Sequence, residues 1–98
     1  MMTYKRKRSI ERSSQFRKDV RRAYKQQKDI KLLEQIIDLL ADDTPLHEKH
    51  RDHALQGNWK GYRECHVMPD WLLVYKKTDK DELLLILARL SSHSDLEL

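Results

Sequence analysis

Apolar residues fall in blocks along this chain, and the spacing within each block predicts an element. Phe16, Val20, Ala23, Tyr24 and Gln27 recur at helical spacing behind Ser13, whose hydroxyl suits a helix N-cap. Arg17, Lys18, Arg21, Arg22, Lys25 and Lys28 occupy much of the remaining circumference, which gives this helix a cationic outer face. Asp29 is placed to cap a second helix. Ile30, Leu33, Ile36, Ile37 and Leu40 keep the 3.6-residue period there, and Leu32 and Leu39 widen the stripe. The second helix is the more apolar and is expected to be the more buried. A short turn makes the two a helical hairpin. Ala41-Asp-Asp-Thr-Pro45 ends it, because the residue before proline avoids helical geometry.

The polar stretch from Leu46 to Gly57 reads as a long connection, and loops of that length in small domains more often serve function than not. From Trp59 the period changes to two. Trp59, Gly61, Arg63, Cys65 and Val67 alternate with Lys60, Tyr62, Glu64 and His66. Pro69-Asp70 marks a turn, and Trp71 to Tyr75 is a nearly continuous apolar strand suited to a sheet centre. A turn at Thr78 to Asp81 precedes a third run, Leu83 to Leu90. Ahead of the helices, residues 3–10 lack Pro and Gly and carry the charges of an edge strand. The order is β-α-α-β-β-β. It predicts an α+β fold, a small, mainly antiparallel sheet with an N-terminal helical hairpin packed on one face, formed by residues 1–98 as a single domain.

Composition narrows this picture. A chain of 98 residues has room for one sheet and two or three helices, with a thin margin of stability. No apolar run approaches the roughly 18–20 residues of a membrane span. The basic N-terminus has no apolar segment behind it, so no signal peptide is expected. Cys65 is the single cysteine and has no partner for an internal disulfide, so the chain reads as cytoplasmic. The net charge of +4 is unevenly spread. Residues 1–40 hold 12 basic and 5 acidic side chains, whereas residues 41–98 hold 8 and 11. A basic front half suggests a polyanionic partner.

The five histidines all lie outside the two helices: His47, His50 and His53 in the loop, His66 on a strand, His93 after the last strand. Three at three-residue spacing, with Cys65 and His66, invite comparison with a metal site, but the chain has no recognised pattern of paired zinc ligands, and no metal or other cofactor is expected. Cys65 alternates with Arg63 and Val67 and away from His66, and nothing marks it as a reactive thiol. Acid–base chemistry fits better. Imidazole titrates near neutrality, so two histidines can supply one base and one acid. Cleavage of RNA by its own 2′-hydroxyl needs both, together with cations for the phosphorane, and aromatic rings such as Trp71 can stack on a splayed base. Residue types alone lead to a basic α+β domain with RNA as one possible substrate.

Residues 52–75 carry a more specific signal. Asp52-His53-Ala-Leu55-Gln56-Gly57-Asn-Trp59-Lys-Gly61-Tyr62-Arg63-Glu-Cys-His66-Val-Met-Pro69-Asp70-Trp71-Leu-Leu-Val-Tyr75 closely resembles the YafQ-type toxins of the RelE/ParE superfamily, and Ser92-His93-Ser-Asp95-Leu96 is similar to that family's ending. The resemblance implies a toxin of a type II toxin–antitoxin pair. It implies a ribosome-dependent, metal-independent endoribonuclease that cuts mRNA in the A site through the 2′-hydroxyl route and halts translation. By position, His53, His66 and His93 become acid–base candidates. Asp70 would orient a histidine or assist proton transfer, Arg63 would face the phosphate, and Trp71 would contact substrate. His47 and His50 match no motif and read as solvated or ribosome-facing. The chain departs from the family pattern at Ser91, where a glycine is usual, and at Glu97, where an aromatic residue is common.

In that frame Lys18, Arg21, Arg22 and Lys25 would dock on ribosomal RNA. The resemblance also implies a cognate antitoxin, in a hetero-oligomer for which 2:2 is one stoichiometry, with operator DNA bound only through the antitoxin and no membrane contact. Two readings compete. A gyrase-inhibiting toxin of the ParE kind would need no acid–base set, and a plain RNA-binding module would bind without cutting.

Overall fold

Ser13 and Asp29 do cap helices in the computed structural model, which describes residues 7–96. The Ser13 hydroxyl accepts from the Phe16 amide at 2.9 Å and opens α1, Ser14–Lys25. The Asp29 carboxylate accepts from the Leu32 amide at 3.1 Å and opens α2, Ile30–Ala41. Both helices close alike. Gln27 (φ 58°) and Asp43 (φ 57°) turn left-handed, and the next amides return to carbonyls five residues back, Lys28 to Ala23 and Thr44 to Leu39. Pro45 follows each requirement of the second closure, since it cannot continue a helix.

Among the described residues five strands make one sheet: β1 Ser9–Arg12, β2 His53–Ala54, β3 Arg63–Met68, β4 Trp71–Thr78 and β5 Leu84–Ser91. Their order is β1-β5-β4-β3-β2. Of the four pairings among these strands, β1–β5 is parallel and the other three are antiparallel. A short α3, His93–Leu96, follows β5. The α+β class and the mainly antiparallel sheet match the sequence-based expectation.

Strand alternation divides the apolar residues between two faces. Cys65, Val67, Trp71, Leu73, Tyr75, Leu85, Leu87 and Leu90 pack against Phe16, Ala23, Leu33, Ile36, Ile37 and Leu40 of the hairpin. Leu72 and Val74 turn the other way and are covered by Leu55, Leu96, Trp59 and Tyr62. Each fully buried side chain of this size contributes about 1.5–3 kcal/mol, so the hairpin face is the main source of stability. The step from Leu87 to Leu90 on one face is allowed by an extra residue, Ala88, opposite the Val74/Tyr75 junction. The Ser13 hydroxyl donates to the Ala88 carbonyl at 2.8 Å and so ties the start of α1 to this bulge.

Several expectations need correction. Among the described residues of the expected 3–10 strand, Lys7 and Arg8 precede it, and the strand runs Ser9–Arg12. Residues 3–6 lie outside the described residues, and Arg8 is drawn inward by Asp43 at 2.7 Å and Asp79 at 2.6 Å. The 46–57 connection holds a 3₁₀ turn, Glu48–His50, and the two-residue β2. The period-two segment begins at Arg63; Trp59 sits in a second 3₁₀ turn, Gly57–Trp59. Tyr24 is 74 % exposed, not part of the packed stripe. In its place Asp19 is buried on the inner face of α1. Its carboxylate accepts from Arg89 Nε at 2.9 Å and from the Leu90 amide at 2.8 Å.

Arg8 and Lys77 hold the Asp43 carboxyl at a pKa of about 2, below its ordinary 3.8, chiefly through their hydrogen bonds. A depressed acid stabilises the fold above its unfolded value and stops doing so as pH falls through the folded one. Asp43→Asn is therefore expected to cost about 1 kcal/mol at pH 7, given a side chain 31 % exposed to screening solvent. The gap to the unaltered protein should close between 3.8 and about 2, which urea melts at stepped pH would read. A gap that persists below pH 2 would refute the latch.

Candidate active site

β3 leaves the hairpin core on one side and a row of polar groups on the other. Glu64 and His66 are two residues apart and therefore share the face opposite the helices. β2 pairs with β3 so that His53 lies directly across from Glu64. Gly57 (φ 65°) and Gly61 (φ 94°) take left-handed conformations that let the intervening loop fold back. That loop is closed by the Leu55 amide on the Tyr62 carbonyl at 2.9 Å. Asp52, next to His53, accepts from the Tyr75 hydroxyl at 2.5 Å and Arg63 Nε at 3.3 Å, which pins the strand start to the sheet.

The result is a pair of imidazoles with ring centroids 6.4 Å apart. His53 is 48 % exposed and His66 15 %. His53 Nδ1 donates to the Arg51 carbonyl at 2.5 Å, and His66 Nδ1 donates to the Pro69 carbonyl at 3.2 Å. A carbonyl only accepts, so the Nδ1 of each ring carries the proton and Nε2 is free to gain or lose one. Arg51 sits in the left-handed region (φ 47°), which aims its carbonyl at His53. Glu64 lies between the rings, its Oε1 3.4 Å from His53 Nε2 and 3.6 Å from His66 Nε2. Sequence reasoning missed it, because a glutamate on a strand reads as a solvent-facing charge.

The other expected site residues are placed less uniformly. Asp70 is exposed and accepts from the His93 amide at 3.2 Å, so those two residues meet at the start of α3. Leu72 pairs with His66 on one side and Ser91 on the other, so the end of β5 that leads to His93 lies two strand spacings, about 10 Å, from the His66 backbone. Ser91 is buried and donates to Asp95 at 3.2 Å. Glu97 lies outside the described residues.

Three expectations change here. Arg63 alternates to the hairpin side of β3, where it pairs with Asp52, so it does not share a face with His66. Trp71 is 3 % exposed within the hairpin core and has no ring face to offer a base. His50 is not solvated: it is buried, and its Nδ1 approaches the His66 carbonyl at 2.7 Å. That contact bolts the 3₁₀ turn to β3 at His66. His47 is exposed, and its Nδ1 accepts from the Lys49 amide.

Cys65 is fully buried, and burial, then the charges of Asp52 and Glu64, pushes its thiol well above the ordinary range. It is no nucleophile. Among the described residues no group of three or more His, Cys, Asp and Glu is arranged to hold a metal ion, and no helix is long and apolar enough to cross a membrane. Lys18, Arg21, Arg22 and Lys25 are exposed along α1, and Arg22 pairs with Asp95 at 3.7 Å. A half-open pair of imidazoles with fixed tautomers suits proton transfer to and from a substrate that lies across the sheet edge.

Comparison with known proteins identifies relatives of this architecture. A family model described as the bacterial toxin of a type II toxin–antitoxin system, YafQ, matches residues 8–98. The mRNA interferase toxin YafQ of Escherichia coli K12 is 49 % identical over 90 residues, covering 91 % of this chain and 95 % of that protein. The crystal structure of YafQ from E. coli BL21(DE3) superposes with a TM-score of 0.83 at 48 % identity, covering 91 % of this chain and 97 % of that one. A crystal structure of the E. coli DinJ–YafQ toxin–antitoxin complex matches with a TM-score of 0.82 at 47 % identity, over 92 % and 97 % of the two chains. This chain belongs to the YafQ family of toxins from bacterial type II toxin–antitoxin systems.

Proposed function

We propose that this toxin is an endoribonuclease that cuts mRNA in the ribosomal A site and so halts translation. The observation that carries this reading is the juxtaposition of His53 and His66 at an open sheet edge with both Nε2 atoms available. The name of the E. coli relative, an mRNA interferase, supports the same class of chemistry. One neutral imidazole takes the proton of a ribose 2′-hydroxyl, and that oxygen attacks the adjacent phosphorus. The bond from phosphorus to the 5′-oxygen breaks. The second ring, as imidazolium, delivers its proton to that oxygen, leaving a 2′,3′-cyclic phosphate and a 5′-hydroxyl. Both proton transfers are made by side chains, so no metal is required. His93, with its amide on Asp70, closes the end of the site nearest α3 and is a further acid–base candidate.

Product analysis tests this directly. Purified toxin added to programmed ribosomes should leave 5′ fragments with 2′,3′-cyclic phosphate ends, and 1,10-phenanthroline should not slow it. That chelator strips transition metals while leaving ribosomal magnesium. Fragments ending in a 3′-hydroxyl would contradict the mechanism.

The exposed face of α1 is the proposed contact with ribosomal RNA. Arg21→Glu combined with Lys25→Glu should weaken ribosome binding most at low salt and flatten its salt dependence by about one unit of log–log slope per lost phosphate contact. Co-sedimentation at several salt concentrations measures it, and an unchanged slope would rule this face out. The same basic surface suits an acidic segment of a cognate antitoxin, a partnership that the DinJ–YafQ complex shows for the relative.

A further inference from the structure

Glu64 is 2 % exposed, and its Oε2 is buried without a hydrogen-bond partner. Such a carboxylate costs several kcal/mol to bury as an anion unless a cation offsets it. The nearest groups able to supply one are the two Nε2 atoms, both facing the same Oε1 at ion-pair distances of 3.4 and 3.6 Å. Across the sheet its direct partner is Val74, which is uncharged. The other charges on neighbouring elements have their own engagements. Arg63 pairs with Asp52 at the strand edge, and Lys76 sits over the Tyr62 ring.

Because both Nδ1 atoms already donate to carbonyls, a proton added near Glu64 has to sit on an Nε2. One proton shared by the pair neutralises one carboxylate. A second would put two cations around one anion, with ring centroids 6.4 Å apart. We propose that Glu64 is a positioning residue that holds one proton between His53 and His66, so that one ring is imidazolium while the other is neutral. The inference rests on the acid–base reading above and deepens it: two chemically identical groups acquire opposite roles at one pH because they share a single buried counter-charge. Glu64 acts through the two rings that its Oε1 faces.

The test uses Glu64→Gln, which keeps the shape and removes the charge, with Glu64→Asp as the conservative variant. Proton NMR of the imidazole C2–H signals follows both histidines through pH. The expected result for Glu64→Gln is that both titration midpoints move to lower pH, the folded spectrum is kept, and single-turnover cleavage on ribosomes at pH 7 falls about 10–100-fold with its optimum displaced towards acid. Glu64→Asp should recover part of the rate and part of the midpoint shift. Histidine titrations unchanged in Glu64→Gln would overturn the inference, as would an equal loss of rate at every pH. Failure of the unaltered protein to cleave would instead overturn the functional reading, and the NMR titration would still decide the role of Glu64.

Discussion

His53→Ala combined with His66→Ala is expected to lower single-turnover cleavage of ribosome-bound mRNA by about 10³-fold or more, with ribosome binding retained. General acid–base catalysis contributes about 10²–10⁴-fold per group. In the proposed mechanism the two rings act on one displacement, so the double variant should fall short of the product of the single losses. The fold should survive at some cost in stability: removing both rings takes the offsetting cation from Glu64 but opens its carboxylate to water, and the His66 ring otherwise gives up a single carbonyl contact through Nδ1. Either single variant should lose about 10²-fold or more. Full activity in both single variants would remove these residues from the chemistry, and circular dichroism melts would show whether any loss came from unfolding.

The largest expected effect on stability lies on the opposite face. Asp19→Ala should destabilise the protein by about 3–5 kcal/mol, because it strands a half-buried cation and a buried amide. The Asp19 side chain has no exposed surface, and three donors converge on it: Gln15 at 3.2 Å, Arg89 at 2.9 Å and the Leu90 amide at 2.8 Å. These bonds fasten α1 to the end of β5, just before α3. For a domain of this size each kcal/mol shifts Tm by about 4–8 °C, so a drop of at least 12 °C is expected in a thermal melt. Asp19→Leu combined with Arg89→Met should recover part of the loss, since removing both charges avoids an unpaired one. A change of under about 1 kcal/mol in Asp19→Ala would mean that solvent reaches the pair.

Much of this architecture is legible in the residues. Ser13 and Asp29 mark both helix starts, and the stripe from Ile30 to Leu40 marks the buried helix, because caps and a 3.6-residue period are local properties. Trp71 to Tyr75 is central because it is apolar on both faces, and the structure covers both. What stays hidden depends on tertiary context. Asp19 interrupts an inner helical face as a charge, and only its partners on β5 explain its burial. Arg8 looks like one more edge-strand cation until Asp43 and Asp79 approach it from distant loops.

The site divides in the same way. His53 and His66 stand out as motif residues, and their spacing across β2 and β3 follows from a hairpin that the glycines permit. Alternation places Glu64 beside His66, but its burial could not be read from period two. Alternation also sends Arg63 to the face away from His66. Trp71 sits beside Asp70 in the chain, yet strand geometry turns its ring into the core while Asp70 stays at the surface. His50 differs from His47 by one turn of 3₁₀ helix, and that turn decides which ring is buried against β3.

The division of labour between His53 and His66 is the central claim, and one substrate tests it. An mRNA with sulfur in place of the bridging 5′-oxygen at the cut site has a leaving group that needs no proton. On ribosomes, that substrate should restore near-normal single-turnover cleavage to whichever of His53→Ala and His66→Ala lacks the acid, and leave the variant lacking the base slow. Rescue of neither variant, or of both equally, would contradict the assignment of one base and one acid to this pair.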